Sequence, residues 1–267
     1  MNPVELRAST FTHGGSEYWC GEAGDPDAAP LVLLHPSGVD ARAFEPNLAA
    51  LGEHFRLILP ERTGHGHTPD RPGEISFDDE ARATGSLIER LGDRPVRVLG
   101  CSGGGIVGLR LAVLRPDLVE RLVVVAAPWH VDGWDDGVLD ALADEPPQFL
   151  VDGYAEVSPD GADHYGVVCG KLARAHAREP AMTPGDLSEL GVRTLVMIAD
   201  DDEVVIEHAA EAVRSLPRGE LAIVPGTSHG LLWEKPDLCH AILLDFLRNE
   251  PVETIAPRRR TPPESAV

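Results

Sequence analysis

At 267 residues the chain is long enough to bury one large α/β core. Its 43% hydrophobic and 25% charged content are ordinary for a globular protein, and no apolar run approaches the length of a membrane span. The formal net charge is −21, with Lys171 and Lys235 the only lysines among 23 basic residues. That balance opposes nucleic acid and anionic membranes as partners and leaves a small-molecule substrate as the expected one. Cys20, Cys101, Cys169 and Cys239 are scattered without a CxxC pair, which points to free thiols and away from a structural zinc site. The N-terminal stretch lacks a signal-peptide pattern, so the expected location is the cytoplasm.

Apolar runs bounded by turn residues alternate with amphipathic patterns. Residues 9–12 and 17–20 read as a leading hairpin. Leu31-Val32-Leu33-Leu34 reads as a buried strand, followed by a helix over 41–52 and a strand over 55–59. A glycine-rich loop, Glu61-Arg62-Thr63-Gly64-His65-Gly66-His67-Thr68, precedes a helix over 77–91. A strand over 96–99 runs into a glycine-rich turn and an apolar helix that stops at Arg115-Pro116. A strand over 121–126 follows. Residues 129–190 hold no good strand and are rich in Asp, Gly, Pro and aromatics, which predicts a small helical insertion. A strand over 194–199, a helix over 206–215, a strand over 220–224 and a helix over 236–248 complete the pattern. Residues 251–267, rich in Pro and charge, read as a disordered tail whose Arg258-Arg259-Arg260 run is solvated. Strand–helix alternation of this kind predicts a mostly parallel sheet with helices on both faces.

The turn after the 96–99 strand carries the chemistry. Gly100-Cys101-Ser102-Gly103-Gly104 is a G-x-S-x-G pattern between a strand and a helix, the layout of a nucleophile elbow. Side chains two residues either side of the nucleophile would collide there, and Gly100 and Gly104 remove them. Cys101 is a rival nucleophile, but two residues before it stands the bulky Leu99. The frame therefore selects Ser102 and leaves Cys101 as a small buried side chain.

A serine hydroxyl needs a base. In an open α/β sheet, functional groups gather beyond the carboxyl ends of the strands. The 194–199 strand runs into Asp200-Asp201-Asp202-Glu203, and the 220–224 strand runs into Pro225-Gly226-Thr227-Ser228-His229. An acid cluster and a histidine thus follow Ser102 in the order Ser, Asp, His. The Leu31–Leu34 strand leads into His35-Pro36-Ser37-Gly38. Pro36 has no N–H, so the Ser37 and Gly103 N–H groups are the expected oxyanion donors. His65 and His67 lack a third ligand at metal spacing and read as structural.

These motifs together resemble the α/β-hydrolase superfamily over residues 9–248. His35-Pro36-Ser37-Gly38 is similar to its His-Gly oxyanion loop, with Pro36 replacing the usual Gly. Glu61 to Thr68 resembles its Asp-x-Arg-Gly-x-Gly-x-Ser loop. Ala199-Asp200-Asp201-Asp202 resembles Gly-x-x-Asp, which places the acid at Asp202 with Asp200 and Asp201 as alternatives.

The resemblance implies an eight-stranded sheet in a core of residues 1–128 and 191–250, with 129–190 as a cap. It implies a serine hydrolase acting on a small, largely apolar ester or lactone without metal or organic cofactor. Ser102 is the nucleophile, His229 the base, and Trp129, Trp134 and Trp233 stand near the pocket. Carbon–carbon hydrolysis and perhydrolysis use the same triad in similar proteins, and some members only bind ligand. Members with an Asp nucleophile are excluded by Ser102.

Overall fold

The computed structural model describes residues 4–92, 95–142 and 144–258. Among them, eight strands form one sheet: β1 (Arg7–His13), β2 (Ser16–Ala23), β3 (Pro30–Leu34), β4 (Arg56–Pro60), β5 (Val96–Cys101), β6 (Val119–Val125), β7 (Arg193–Asp201) and β8 (Gly219–Ser228). Their spatial order is β1-β2-β4-β3-β5-β6-β7-β8. The β1–β2 and β2–β4 pairs are antiparallel, and every pair from β4 onward is parallel. The mostly parallel sheet expected from the sequence is therefore present.

The central strands are apolar on both faces, and alternate residues serve different layers. Val32, Leu34, Val98, Leu122 and Val124 pack in one core cluster. Leu31, Leu33, Leu99, Val123 and Val125 pack in the other. The first layer is covered by α2 (Phe77–Leu91), α3 (Gly103–Leu114) and α8 (Ile206–Ser215). The second is covered by α1 (Glu45–Gly52), α9 (Leu231–Glu234) and α10 (Pro236–Arg248).

Helix ends follow local chemistry. α2 opens with Asp78, Asp79 and Glu80, which favour the positive end of its dipole, and stops at the left-handed Gly92. The helix expected over 41–52 is split. Ala41–Phe44 is a 3-10 turn, and α1 begins at Glu45. Pro46 has no N–H to reach back to the Arg42 carbonyl, so a continuous α-helix cannot run through this point. Residues 251–258 carry neither helix nor strand. The rest of the expected tail, including Arg259 and Arg260, lies outside the described residues.

Between β6 and β7 the chain forms α4 (Val138–Ala141), α5 (Gln148–Val157), α6 (Tyr165–His176) and α7 (Pro184–Ser188). A buried polar anchor ties this segment to the sheet side. Asp70, in the loop after β4, takes Lys171 Nζ at 2.7 and 2.9 Å and His164 Nε2 at 2.8 Å. The Asp70 N–H donates to Asp160 at 2.7 Å. Burial pushes the Asp70 carboxyl up, but Lys171 and His164 outweigh it and hold the group below 3.8. Its stabilising contribution is therefore complete above the ordinary carboxylate range and fades as pH falls through the depressed value.

Removing this carboxylate strands the Lys171 ammonium, whose side chain is only 10% exposed. Asp70→Asn is expected to cost about 3 kcal/mol of stability. Hydrogen exchange in residues 160–176 should accelerate more than in β5 and α3. Equal protection in variant and wild type would show that the anchor does not hold the segment.

Candidate active site

The turn from β5 into α3 is forced by close backbone approach. A Cβ on Gly100 would overlap the Gly104 carbonyl, and a Cβ on Gly104 would overlap the Leu34 carbonyl. With those side chains absent, α3 seats directly on the ends of β3 and β5. Ser102 takes up the bend at φ 52°, ψ −123°, a strained conformation for a residue with a side chain. Its N–H is held by the Val125 carbonyl at 2.8 Å, and its carbonyl accepts from Gly105 at 2.8 Å. Cys101 is buried beside it, and burial pushes its thiol far up, which leaves it inert.

β7 and β8 run further than their apolar patterns. The register shifts after Ala199 and the strands pair again at Asp201 and Ser228. Asp202 and His229 are the next residues of the two strands, so they emerge side by side. His229 Nδ1–H donates to Asp202 Oδ1 at 2.8 Å, and Ser102 Oγ lies 3.0 Å from His229 Nε2. The fully buried Asp202 carboxylate also accepts the Ala199 N–H at 2.9 Å and the Val204 N–H at 3.2 Å, so it cannot swing away.

Of the three acids, Asp202 alone among the described residues reaches His229. Asp200 instead accepts the Thr227 N–H at 3.1 Å, and Asp201 is exposed. Glu203, which sequence reasoning left without a role, stands 3.5 Å from His229 Nε2. Burial of His229 opposes its charged form, but the Asp202 hydrogen bond and the Glu203 and Asp202 charges outweigh that and raise its pKa above 6.5. This chain of atoms can take a proton from a hydroxyl and hold the resulting imidazolium.

The loop after β3 is braced by neutral histidines. His35 Nδ1–H donates to the Pro36 carbonyl at 2.8 Å, while its Nε2 accepts the Arg62 N–H at 3.1 Å. His65 Nδ1–H donates to the Thr63 carbonyl at 2.8 Å, and its Nε2 accepts the Gly38 N–H at 3.1 Å. Burial drives both imidazoles well below 6.5. Pro36 has no N–H and the Gly38 N–H is engaged, so Ser37 is the residue of this turn whose N–H faces neither constraint. Gly103 is the first residue of α3, and its N–H has no acceptor within the helix. His67 lies apart, bonded to Glu61 at 3.0 Å and stacked on Trp19.

A cavity of about 540 Å³ opens over these groups. Its floor includes Ser37, Cys101 and His229, and Phe149, Leu150, Tyr154 and Tyr165 from α5 and α6 form the opposite wall. Trp233 lines it. Trp129 does not. Its ring stacks on His208 at 4.5 Å, its indole N–H donates to the His208 carbonyl, and its backbone N–H donates to His208 Nε2. Trp134 is also off the wall. It packs edge-on to His176 at 5.4 Å and lies 6.3 Å from the His229 ring, so it backs the histidine and does not face the cavity. Composition could not separate these three tryptophans, because each follows a strand end or a loop in a similar local pattern.

The charges on the cavity wall are Asp40, Glu45 and Arg42. Arg42 is held by two carboxylates and a carbonyl. It bonds Asp40 at 2.7 and 2.9 Å, Glu156 at 2.6 Å and the Gly153 carbonyl at 2.5 Å.

No helix among the described residues is long and apolar enough to cross a membrane. The chain resembles a putative carbamate hydrolase, RutD, of Stutzerimonas stutzeri (strain A1501), at 35% identity over 254 residues, 85% of this chain and 94% of that one. Its fold is like that of the carboxylesterase CesB (YbfK) from Bacillus subtilis, with a TM-score of 0.76 at 21% identity, covering 92% of this chain and 93% of that one. It is also like the 2-hydroxy-6-oxo-6-phenylhexa-2,4-dienoate hydrolase BphD from Rhodococcus sp. strain RHA1, with a TM-score of 0.75 at 19% identity, covering 92% and 100%. The model of the alpha/beta hydrolase family matches residues 31–242, and with that match the chain belongs to the α/β-hydrolase family.

Proposed function

We propose that this hydrolase uses Ser102 as a nucleophile and cleaves a small, uncharged carboxylic ester or lactone through an acyl-enzyme. The observation that carries the reading is the unbroken hydrogen-bond chain from Asp202 through His229, which lines the cavity, to Ser102. Ser102 Oγ attacks the carbonyl carbon and His229 Nε2 takes its proton. The same nitrogen returns the proton to the leaving group. Asp202 fixes the tautomer and stabilises the imidazolium. The Ser37 and Gly103 N–H groups stabilise the oxyanion. Water, activated by His229, then releases the acid. The chemistry calls for no cofactor.

The wall supports an uncharged substrate. Its guanidinium, Arg42, is already paired with Asp40 and Glu156, and Glu45 adds a further negative charge. A dienoate of the kind named for BphD would bring a carboxylate into this wall without a free cation to meet it. That weighs against carbon–carbon hydrolysis of such anions. The relative named for carbamates extends the candidate acyl groups, since a carbamate ester offers a serine the same carbonyl attack.

A fluorophosphonate probe is expected to label Ser102 and abolish turnover of short nitrophenyl esters. Folded protein that stays unlabelled would overturn the reading. A panel of neutral esters, lactones and a carbamate ester should be turned over in preference to an ester bearing a carboxylate near the scissile bond. Preference for the anion would refute the charge argument.

Asp202→Asn should lower kcat by about 10⁴-fold, because the imidazole loses its fixed tautomer. Asp200→Asn and Asp201→Asn should stay near wild type. Loss in either of those with turnover kept in Asp202→Asn would move the acid.

The base works only when neutral, so kcat/KM should fall as pH drops through the pKa of His229, which stands above 6.5. Glu203→Gln removes a negative charge 3.5 Å from Nε2 and should move that acid limb to lower pH at low ionic strength. An unmoved limb would show that Glu203 does not act on the imidazole.

A further inference from the structure

We propose that the Ser37 side-chain hydroxyl, oriented by His176 of α6, is a third donor to the oxyanion, beside the two backbone N–H groups. The proposal rests on the serine-hydrolase reading above and adds no bond-making step to it.

The first support is the position of the hydroxyl. A Cβ on Gly103 would overlap Ser37 Oγ. The hydroxyl therefore occupies the space that the side chain following the nucleophile would fill in any other residue. α3 starts with three consecutive glycines, each a poor helix former. Gly104 is required by the Leu34 carbonyl, and Gly105 by the Ala127 side chain. Gly103 meets no backbone atom of that kind; its closest neighbours are Ser37 Oγ and Cβ and the Arg62 guanidinium. Its lack of a side chain makes room for the Ser37 hydroxyl, on a residue that lines the cavity.

The second support is the direction of the hydroxyl proton. His176 Nε2 lies 3.0 Å from Ser37 Oγ. The imidazole is 1% exposed and is held edge-on by Phe77 at 4.9 Å and Trp134 at 5.4 Å. Its Nδ1 has no hydrogen-bond partner among the described residues. Burial, with the charges of Arg62 and His229, lowers its pKa to about 3, so the ring is neutral and carries one N–H.

A proton on Nδ1 would add a buried N–H without a partner, which costs more than a bare lone pair there. The proton accordingly sits on Nε2 and is donated to Ser37 Oγ. The Ser37 O–H must then find another acceptor. Arg62, whose Nη1 is also near Gly103 and unpartnered, is a donor only and cannot accept it. An oxygen that becomes negative beside Gly103 and Ser37 is the acceptor this arrangement awaits.

A donor that meets the oxyanion acts in the transition state, so its loss should appear in kcat. The test uses the full chain and a neutral nitrophenyl ester. Ser37→Ala should lower kcat by roughly 10- to 100-fold with little change in KM, and weaken a trifluoromethyl ketone inhibitor by a similar factor. His176→Leu should lower kcat as well. In the double variant the loss should match Ser37→Ala alone within about twofold, because His176 acts through the hydroxyl. His176→Gln, which keeps an N–H at the position of Nε2, should recover part of the loss. Should Ser37→Ala fail to fold, Ser37→Cys carries the same expectation with a weak thiol donor.

A folded Ser37→Ala variant with kcat within about twofold of wild type would overturn the proposal. So would losses that multiply in the double variant, which would mark His176 as a packing residue. Fluorophosphonate labelling of wild-type Ser102 separates the two readings. Without labelling, the serine-hydrolase reading falls and takes the proposal with it. With labelling and an unaffected kcat, the proposal alone falls.

Discussion

The site depends on one close approach, that of Gly104 to the Leu34 carbonyl. It brings the start of α3 against the end of β3, and so joins two loops that are far apart in sequence. Ser102 at the bend, Gly103 behind it and Ser37 on the facing loop become neighbours through that contact. A single added methyl at Gly104 would push α3 off the strand and separate all three. Strain at Ser102, with its positive φ, is borne by the Val125 carbonyl and the first turn of α3, which hold its backbone from both sides.

The meeting of Asp202 and His229 depends on a second contact between chain ends. β7 and β8 pair again at Asp201 and Ser228 after a register shift, and the next residue in each strand is Asp202 and His229. In a parallel pair, residues that follow paired positions leave the sheet on the same side. The sequence showed an acidic run and a histidine at strand ends, and the resemblance to Gly-x-x-Asp placed the acid at Asp202, with Asp200 and Asp201 as alternatives that pattern alone does not dismiss. The ranking needs the register, and the register depends on a bulge that leaves no mark in an Asp-Asp-Asp-Glu run.

The fold was legible wherever hydrophobic period and end signals agreed. The helices at 77–91, 206–215 and 236–248 stand where the pattern put them. The helix over 41–52 broke at Pro46, where the missing N–H was visible in the sequence but outweighed by the apolar spacing. Ser102, Asp202 and His229 meet because each sits at a strand end, a position that pattern can locate. His176, Glu203 and the true setting of Trp129 and Trp134 were not legible. His176 is the last residue of α6, with no motif around it, and reaches Ser37 across 139 residues of chain. Trp129 is drawn off the cavity by His208, a partner 79 residues away on α8. Contacts of that separation are fixed by how helices dock, which local sequence does not encode.

The histidines of this region divide by their neighbours. His35, His65 and His176 are buried, lie near the Arg62 charge and are driven down to neutral. His229 is half-buried, yet its pKa is raised, because Asp202 and Glu203 flank its two nitrogens. Neutral rings with fixed tautomers make rigid braces, since each nitrogen has one role and cannot change it with pH. His35 and His65 hold the loop that carries Ser37 in this way. The raised ring, with a carboxylate at Nδ1 and the Ser102 hydroxyl at Nε2, is the one placed to take up a proton. Arg62 keeps the two kinds apart: the cation is buried under the loop, with its pKa lowered only to about 10, so it remains charged and penalises a second positive charge nearby. Of these four rings, His229 alone among the described residues is paired with carboxylates, Asp202 and Glu203 just after β7, and its pKa is the one raised.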